Sequence, residues 1–164
     1  MSAMTGDWGP TLVAAIAAIL VALAGGLLTT TGPWYQALQR PSWKPPDWAF
    51  GPVWTTIFTL TAISAVLAWN ADGSFASRTI LVVAYAVNAV LNIAWSGLFF
   101  RLRRPDWALV EVVFLWLSIA ALVLVTARVS GVAALLLLPY LGWVGVAAFL
   151  NRAIVRLNGP FRSA

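Results

Sequence analysis

Charged residues in this chain fall in clusters, and five long, almost wholly apolar runs lie between them. The runs are bracketed by Asp7 and Arg40, Asp47 and Asp72, Arg78 and Arg101, Asp106 and Arg128, and Arg128 and Arg152. Glu111 alone interrupts them. A helix needs about 20 apolar residues to cross the hydrocarbon of a bilayer. Each run supplies that length once, and none supplies it twice. The pattern predicts spans over 9–31, 49–70, 78–100, 107–127 and 132–157. The expected fold is therefore all-α and integral to the membrane, a bundle of five transmembrane helices forming a single domain over 1–164.

Local signals sharpen this outline. Pro10 sits in the first turn of span 1, where a missing N–H is harmless, and Gly32-Pro33 ends that span. Small residues recur every fourth position at Ala14, Ala18, Ala22 and Gly26, a stripe that lets helices approach closely inside a bundle or across a dimer. The segment 32–48 holds WYQALQRPSWKPPDW, whose Pro41, Pro45 and Pro46 preclude a continuous helix. Its aromatic and basic mixture suits the headgroup region. A loop of this length in a compact bundle is usually functional, so it is expected to act as a lid. Asp72-Gly73 and the basic stretch RLRRPD at 101–106 mark short loops. Pro139 lies inside span 5 and should kink it. The tail 158–164 is expected to fray.

Composition agrees. The chain is 62% hydrophobic and 9% charged, whereas a soluble domain carries roughly 25% charged residues. Cysteine and histidine are both absent. That excludes disulfides and thiol chemistry, and removes the commonest general base and the commonest haem or zinc ligand. No metal site is expected. With the spans above, eight of the ten Lys and Arg residues share one side with the 32–48 loop, and only Arg78 and Arg128 lie opposite. The positive-inside rule then places the C-terminus in the cytoplasm and the N-terminus outside, in a bacterial inner membrane. The net charge of +5 is read as this topogenic signal and not as nucleic-acid binding. No secretory signal is expected, because 1–7 holds no Lys or Arg and the first apolar run is too long. No internal repeat is visible.

Polar groups inside spans need a reason. Ala84, Asn88, Asn92 and Ser96 lie at steps of four on one face of span 3, with Trp95 beside them. The amides suit either interhelical bonds or a ligand. Glu111, about one turn into span 4, can pair with the basic loop or snorkel toward the interface. Tryptophan is the outlier, with 10 in the chain. Trp8, Trp34, Trp69 and Trp107 suit the interfacial belt, while Trp54, Trp95, Trp116 and Trp143 lie deeper. Such rings either pack together or line a pocket for a flat apolar ligand.

Three segments carry a family resemblance: PSWKPPDWAFGPVWTTIF at 41–58, YAVNAVLNIAWSGLFF at 85–100 and PYLGWVGVAAFLN at 139–151. In order and spacing they resemble the TspO/MBR family, the tryptophan-rich sensory proteins related to the mitochondrial translocator protein. The resemblance spans roughly 9–158. It implies a five-helix bundle, often a homodimer, with a pocket open toward the first loop that binds porphyrins such as protoporphyrin IX and benzodiazepine-type ligands. By motif position the implied lining is Trp48, Trp54, Phe58, Asn88, Asn92, Trp95, Phe99, Trp107, Trp143 and Ala147. In members that break porphyrin down in light, the reactive rings would be Trp54 and Trp143. Arg40 and Lys44 are expected at the mouth, facing porphyrin propionates.

The chain also departs from the family pattern. Leu150-Asn151 is followed by Arg152 where sterol-responsive members have Tyr, so specific sterol recognition is not expected. With no imidazole available, a metal-free porphyrin is the expected ligand, and no cofactor is expected. Three functions compete: a porphyrin-binding receptor or carrier, a light-dependent porphyrin-degrading activity with no conventional acid, base or nucleophile, and a dimeric scaffold or sensor that uses the small-residue stripe. The first is preferred.

Overall fold

A computed structural model describes residues 8–71 and 73–161. The stretch 1–7, Asp72, Arg162 and the end of the tail lie outside the described residues. Within them the chain forms α1 (Gly9–Leu28), α2 (Pro33–Ala37), α3 (Asp47–Ala71), α4 (Phe75–Ser96), α5 (Pro105–Ala127), α6 (Gly131–Leu135) and α7 (Leu138–Asn158). A π-helical turn, Gly97–Arg101, extends α4. Five segments are long and apolar enough to cross a membrane: α1, α3, α4 with its π turn, α5, and α6 with α7. No strand occurs among the described residues. The protein is an integral, multi-pass, all-helical membrane protein.

The elements follow from their ends. Proline stands in the first turn of α1, α2, α5 and α7, where no intrahelical donor is lost. The hydroxyls of Ser74 and Ser130 accept from the Ser77 and Ala133 N–H groups and so cap α4 and α6. Two elements differ from the sequence expectation. The first loop contains the short helix α2, because its three breaking prolines lie beyond Pro33–Ala37 and Pro33 itself favours a helix start. Span 5 is interrupted and not merely kinked. Pro139 falls in the first turn of α7, and the chain between α6 and α7 tightens so that Leu137 N–H donates to Ala134 O. This frees the Ala133 carbonyl, and the Ser64 hydroxyl of α3 donates to it at 2.7 Å. A backbone group exposed by the break is thus satisfied by a neighbouring helix.

Around the bundle, α1 packs on α3 and α4, α4 on α5, and α5 on α7, while α3 and α7 touch little. Hydrophobic burial gives no net drive between helices in lipid, so packing and interhelical hydrogen bonds hold such a bundle. The tightest packing centres on α5, where Ala108, Val112, Leu115, Ile119 and Leu122 are buried. By contrast α1 has no buried residue at all.

Candidate functional site

Sparse contact between α3 and α7 leaves a cavity of about 900 Å³ lined by α1, α3, α4 and α7. Its mouth, at the first-loop end, is framed by Thr31, Tyr35 and Asp47. Phe50, Trp54 and Phe58 enter from α3, Asn92, Trp95 and Ser96 from α4, and Trp143 and Ala147 from α7. The α1 wall includes Ala14, Ala18, Ala22 and Gly26. The small-residue stripe therefore lines the cavity.

Aromatic contacts set the rings. Trp54 stacks on Phe58 with centroids 5.4 Å apart and meets Tyr140 edge-on at 6.1 Å. Trp143 meets Phe50 at 5.5 Å. The π turn places consecutive residues Phe99 and Phe100 both against Trp95, at 5.3 and 6.0 Å. Phe100 lines the cavity and Phe99 is buried behind it. Such single π turns recur at functional sites because they re-aim side chains.

Hydrogen bonds fix the polar members. Asn92 donates to the Tyr140 hydroxyl at 2.8 Å and Asn88 to the Ser118 hydroxyl at 3.0 Å. Both amides thus tie α4 to its neighbours, and only Asn92 reaches the cavity wall. The Trp95 indole donates to Asn151 Oδ1 at 3.2 Å, and Asn151 Nδ2 donates to the Pro105 carbonyl at 2.8 Å. The buried Trp143 Nε1 has no hydrogen-bond partner. Its ring stands between the cavity and a shallower hollow of about 460 Å³ between α3 and α7.

Among the residues singled out in the sequence, Trp54, Phe58, Asn92, Trp95, Trp143 and Ala147 come together on this wall. Four others lie outside it. Trp48 is 76% exposed at the start of α3. Trp107 is exposed and carries the Arg104 guanidinium 4.3 Å over its ring. Asn88 and Phe99 are buried between helices. Arg40 and Lys44 stand beside the mouth residues: Lys44 bonds to Asp47, while Arg40 donates to the Gln36 carbonyl and Oε1 at 3.1 Å, lies 4.8 Å over the Tyr35 ring and is 3.9 Å from the Asp47 carboxylate. Burial and the nearby Asp47 charge push the Tyr35 phenol up, against the opposing pull of Arg40, so the mouth carries a neutral hydroxyl.

Glu111 corrects another expectation. It neither pairs with the basic loop nor snorkels, and both its carboxylate oxygens are buried without a hydrogen-bond partner. Arg104 is occupied by Asp106, donating from Nε at 2.8 Å. Tyr35, Phe50, Ser96 and Phe100 line the cavity too, although none is among the motif positions. For Ser96 the signal was present, since it continues the Asn88–Asn92 step of four.

A five-span bundle with a tryptophan-walled cavity opening beside a proline-rich loop defines a class of polytopic membrane protein. Residues 12–157 match the profile of the TspO/MBR family. The chain is 43% identical to the tryptophan-rich protein TspO of Chlorobaculum tepidum over 76% of this chain and 79% of that one. It is 37% identical to the human translocator protein over 79% and 77% of the two chains. It is 32% identical to the tryptophan-rich sensory protein of Cereibacter sphaeroides over 94% and 95%. The chain belongs to the TspO/MBR family. Relatives named translocator and sensory proteins support a role as a membrane receptor or sensor.

Proposed function

We propose that this protein is a membrane receptor or carrier for porphyrins of the protoporphyrin IX type, and for other flat hydrophobic molecules, linked to tetrapyrrole transport, clearance or stress signalling. The observation that carries this reading is the convergence of Trp54, Phe58, Trp95 and Trp143 on one cavity from three helices. Flat aromatic walls hold a conjugated ring by stacking and edge contacts. The lining is mostly apolar, with few polar groups such as Asn92 and Ser96, which suits a flat hydrophobic ligand. The Lys and Arg excess on the loop side supports a mouth facing the cytoplasm of a bacterial inner membrane.

Tryptophan fluorescence of the protein in lipid, titrated with protoporphyrin IX in the dark, tests the reading. Saturable quenching that weakens in a Trp54→Phe, Trp143→Phe variant is expected. Quenching that never saturates, or that the variant leaves unchanged, overturns it. A second reading, light-dependent breakdown with the porphyrin as photosensitiser, is favoured by one observation: Trp54 and Trp143 face the same cavity. It requires Soret bleaching under light in the wild type that disappears in the double variant.

A further inference from the structure

The cavity is longer than a ring requires. Its lining runs along α1 from Thr11 to Gly26 and along α3 from Asp47 to Leu67. Twenty residues of helix cover about 30 Å, the thickness of the hydrocarbon core. The aromatic residues occupy only the mouth-side half, and Phe58 is the last of them on α3. Beyond it the α3 wall is Thr59, Ala62, Ile63, Val66 and Leu67, an arm of roughly 12 Å at the α-helical rise. Opposite stand Ala14, Ala15 and Ala18 of α1.

The chemistry of this arm differs from that of the aromatic half. Thr59 turns its hydroxyl back to the Thr55 carbonyl at 2.8 Å and so presents its methyl group. The one charged residue in the lining, Asp47, is at the other end. The arm is an apolar groove along the line where α1 packs on α3, with Ile63 and Leu67 partly exposed at its outer edge, suited to a hydrocarbon chain and not to a macrocycle. A phospholipid reaching in from the far leaflet would find no cation in the lining for its phosphate. The arm is instead continuous with the aromatic half.

We infer that the ligand is an amphiphile of two parts: a flat conjugated ring among the tryptophans and a long hydrocarbon tail lying between α1 and α3. The inference rests on the ring-binding reading above and names the tail that reading lacks.

Haematoporphyrin IX monomethyl and monododecyl ethers, whose alkyl chain leaves the ring edge opposite the propionates, titrated in nanodiscs of one lipid composition, test it. Comparing wild type with Ala14→Phe, and with Val66→Phe on the opposite wall, cancels the stronger partitioning of the dodecyl ether into lipid. The dodecyl ether should hold an advantage over the methyl ether in the wild type. That advantage should fall roughly fivefold or more in either variant, where the arm is filled and the tail loses its van der Waals contacts. An advantage of equal size in wild type and variants overturns the inference and leaves ring binding standing. If neither ether binds the wild type, the ring reading falls and the tail falls with it. If the tail brings no advantage and a co-purified phospholipid disappears from both variants, a bilayer lipid occupies the arm and the inference is overturned. A variant-free arm guards against misfolding. A dodecyl ether with a terminal diazirine, photolysed on the wild type, should label α1 around Ala14 and α3 around Val66, and labelling elsewhere overturns the proposal.

Discussion

Trp95 and Asn151 are joined by a hydrogen bond of 3.2 Å from indole nitrogen to side-chain oxygen, between α4 and α7. Asn151 in turn holds the Pro105 carbonyl at the start of α5. One buried amide therefore ties three helices together and sets the angle of a ring on the cavity wall. Replacing Asn151 with Ala should cost about 1–3 kcal/mol, because it leaves the indole N–H unpaired. Porphyrin affinity should drop several-fold as Trp95 loses its orientation. Thermal unfolding in detergent and the quenching titration measure the two effects. An unchanged melting temperature contradicts the first.

At the mouth, Asp47 holds Lys44 and draws on Arg40 from 3.9 Å. Asp47→Asn should release Lys44 and leave Arg40 uncompensated, so that both can meet a ligand's carboxylates. Affinity for protoporphyrin IX should rise a few-fold, and its salt dependence should steepen, while its dimethyl ester should gain nothing. Titrations at two ionic strengths decide this, and an equal gain for the dimethyl ester argues against the charge mechanism.

The first loop is clasped to the end of α7. Gln39 N–H donates to Asn158 Oδ1 and Asn158 Nδ2 donates to Gln39 O, both at 2.8 Å. Two such bonds contribute about 1 kcal/mol each. Asn158→Ala should therefore speed amide exchange across 38–46 by roughly tenfold or more. Ligand on- and off-rates should rise together. Exchange rates that stay as in the wild type would show that the clasp does not hold the loop.

Between α4 and α5, Arg103 has φ 55°, a left-handed conformation that a side chain disfavours. Arg103→Gly should raise stability by about 0.5–1 kcal/mol by relieving that penalty. A melting temperature at or below that of the wild type would count against it.

Much of this architecture is legible in the sequence, because span length and charge position are one-dimensional properties. The five runs, the interfacial loop and the disturbance at Pro139 all follow from them. The convergence of Trp54, Phe58, Asn92, Trp95, Trp143 and Ala147 came from motif resemblance and not from periodicity, since those residues sit on three separate helices. What failed depended on helical phase. Glu111 is close in sequence to the basic loop, yet it shares a face with buried Ala108 and Leu115, and Arg104 is already held by Asp106. Trp48 and Trp107 match motif positions but stand at helix starts, where their rings turn outward. The stripe on α1 was visible, but spacing alone does not tell a helix contact from an empty space. The bend of Phe99 and Phe100 toward Trp95 needs a widened turn that no residue type announces.

The absence of any buried residue on α1 has a mechanical consequence. That wall of the chamber is held by its edges against α3 and α4 and by acyl chains on its outer side, with none of its residues enclosed by protein. The chamber is therefore not a rigid mould. Its width is a compromise between protein packing and the lateral pressure of the surrounding lipid, and a stiffer or thicker membrane changes the fit of whatever lies inside without altering a single residue.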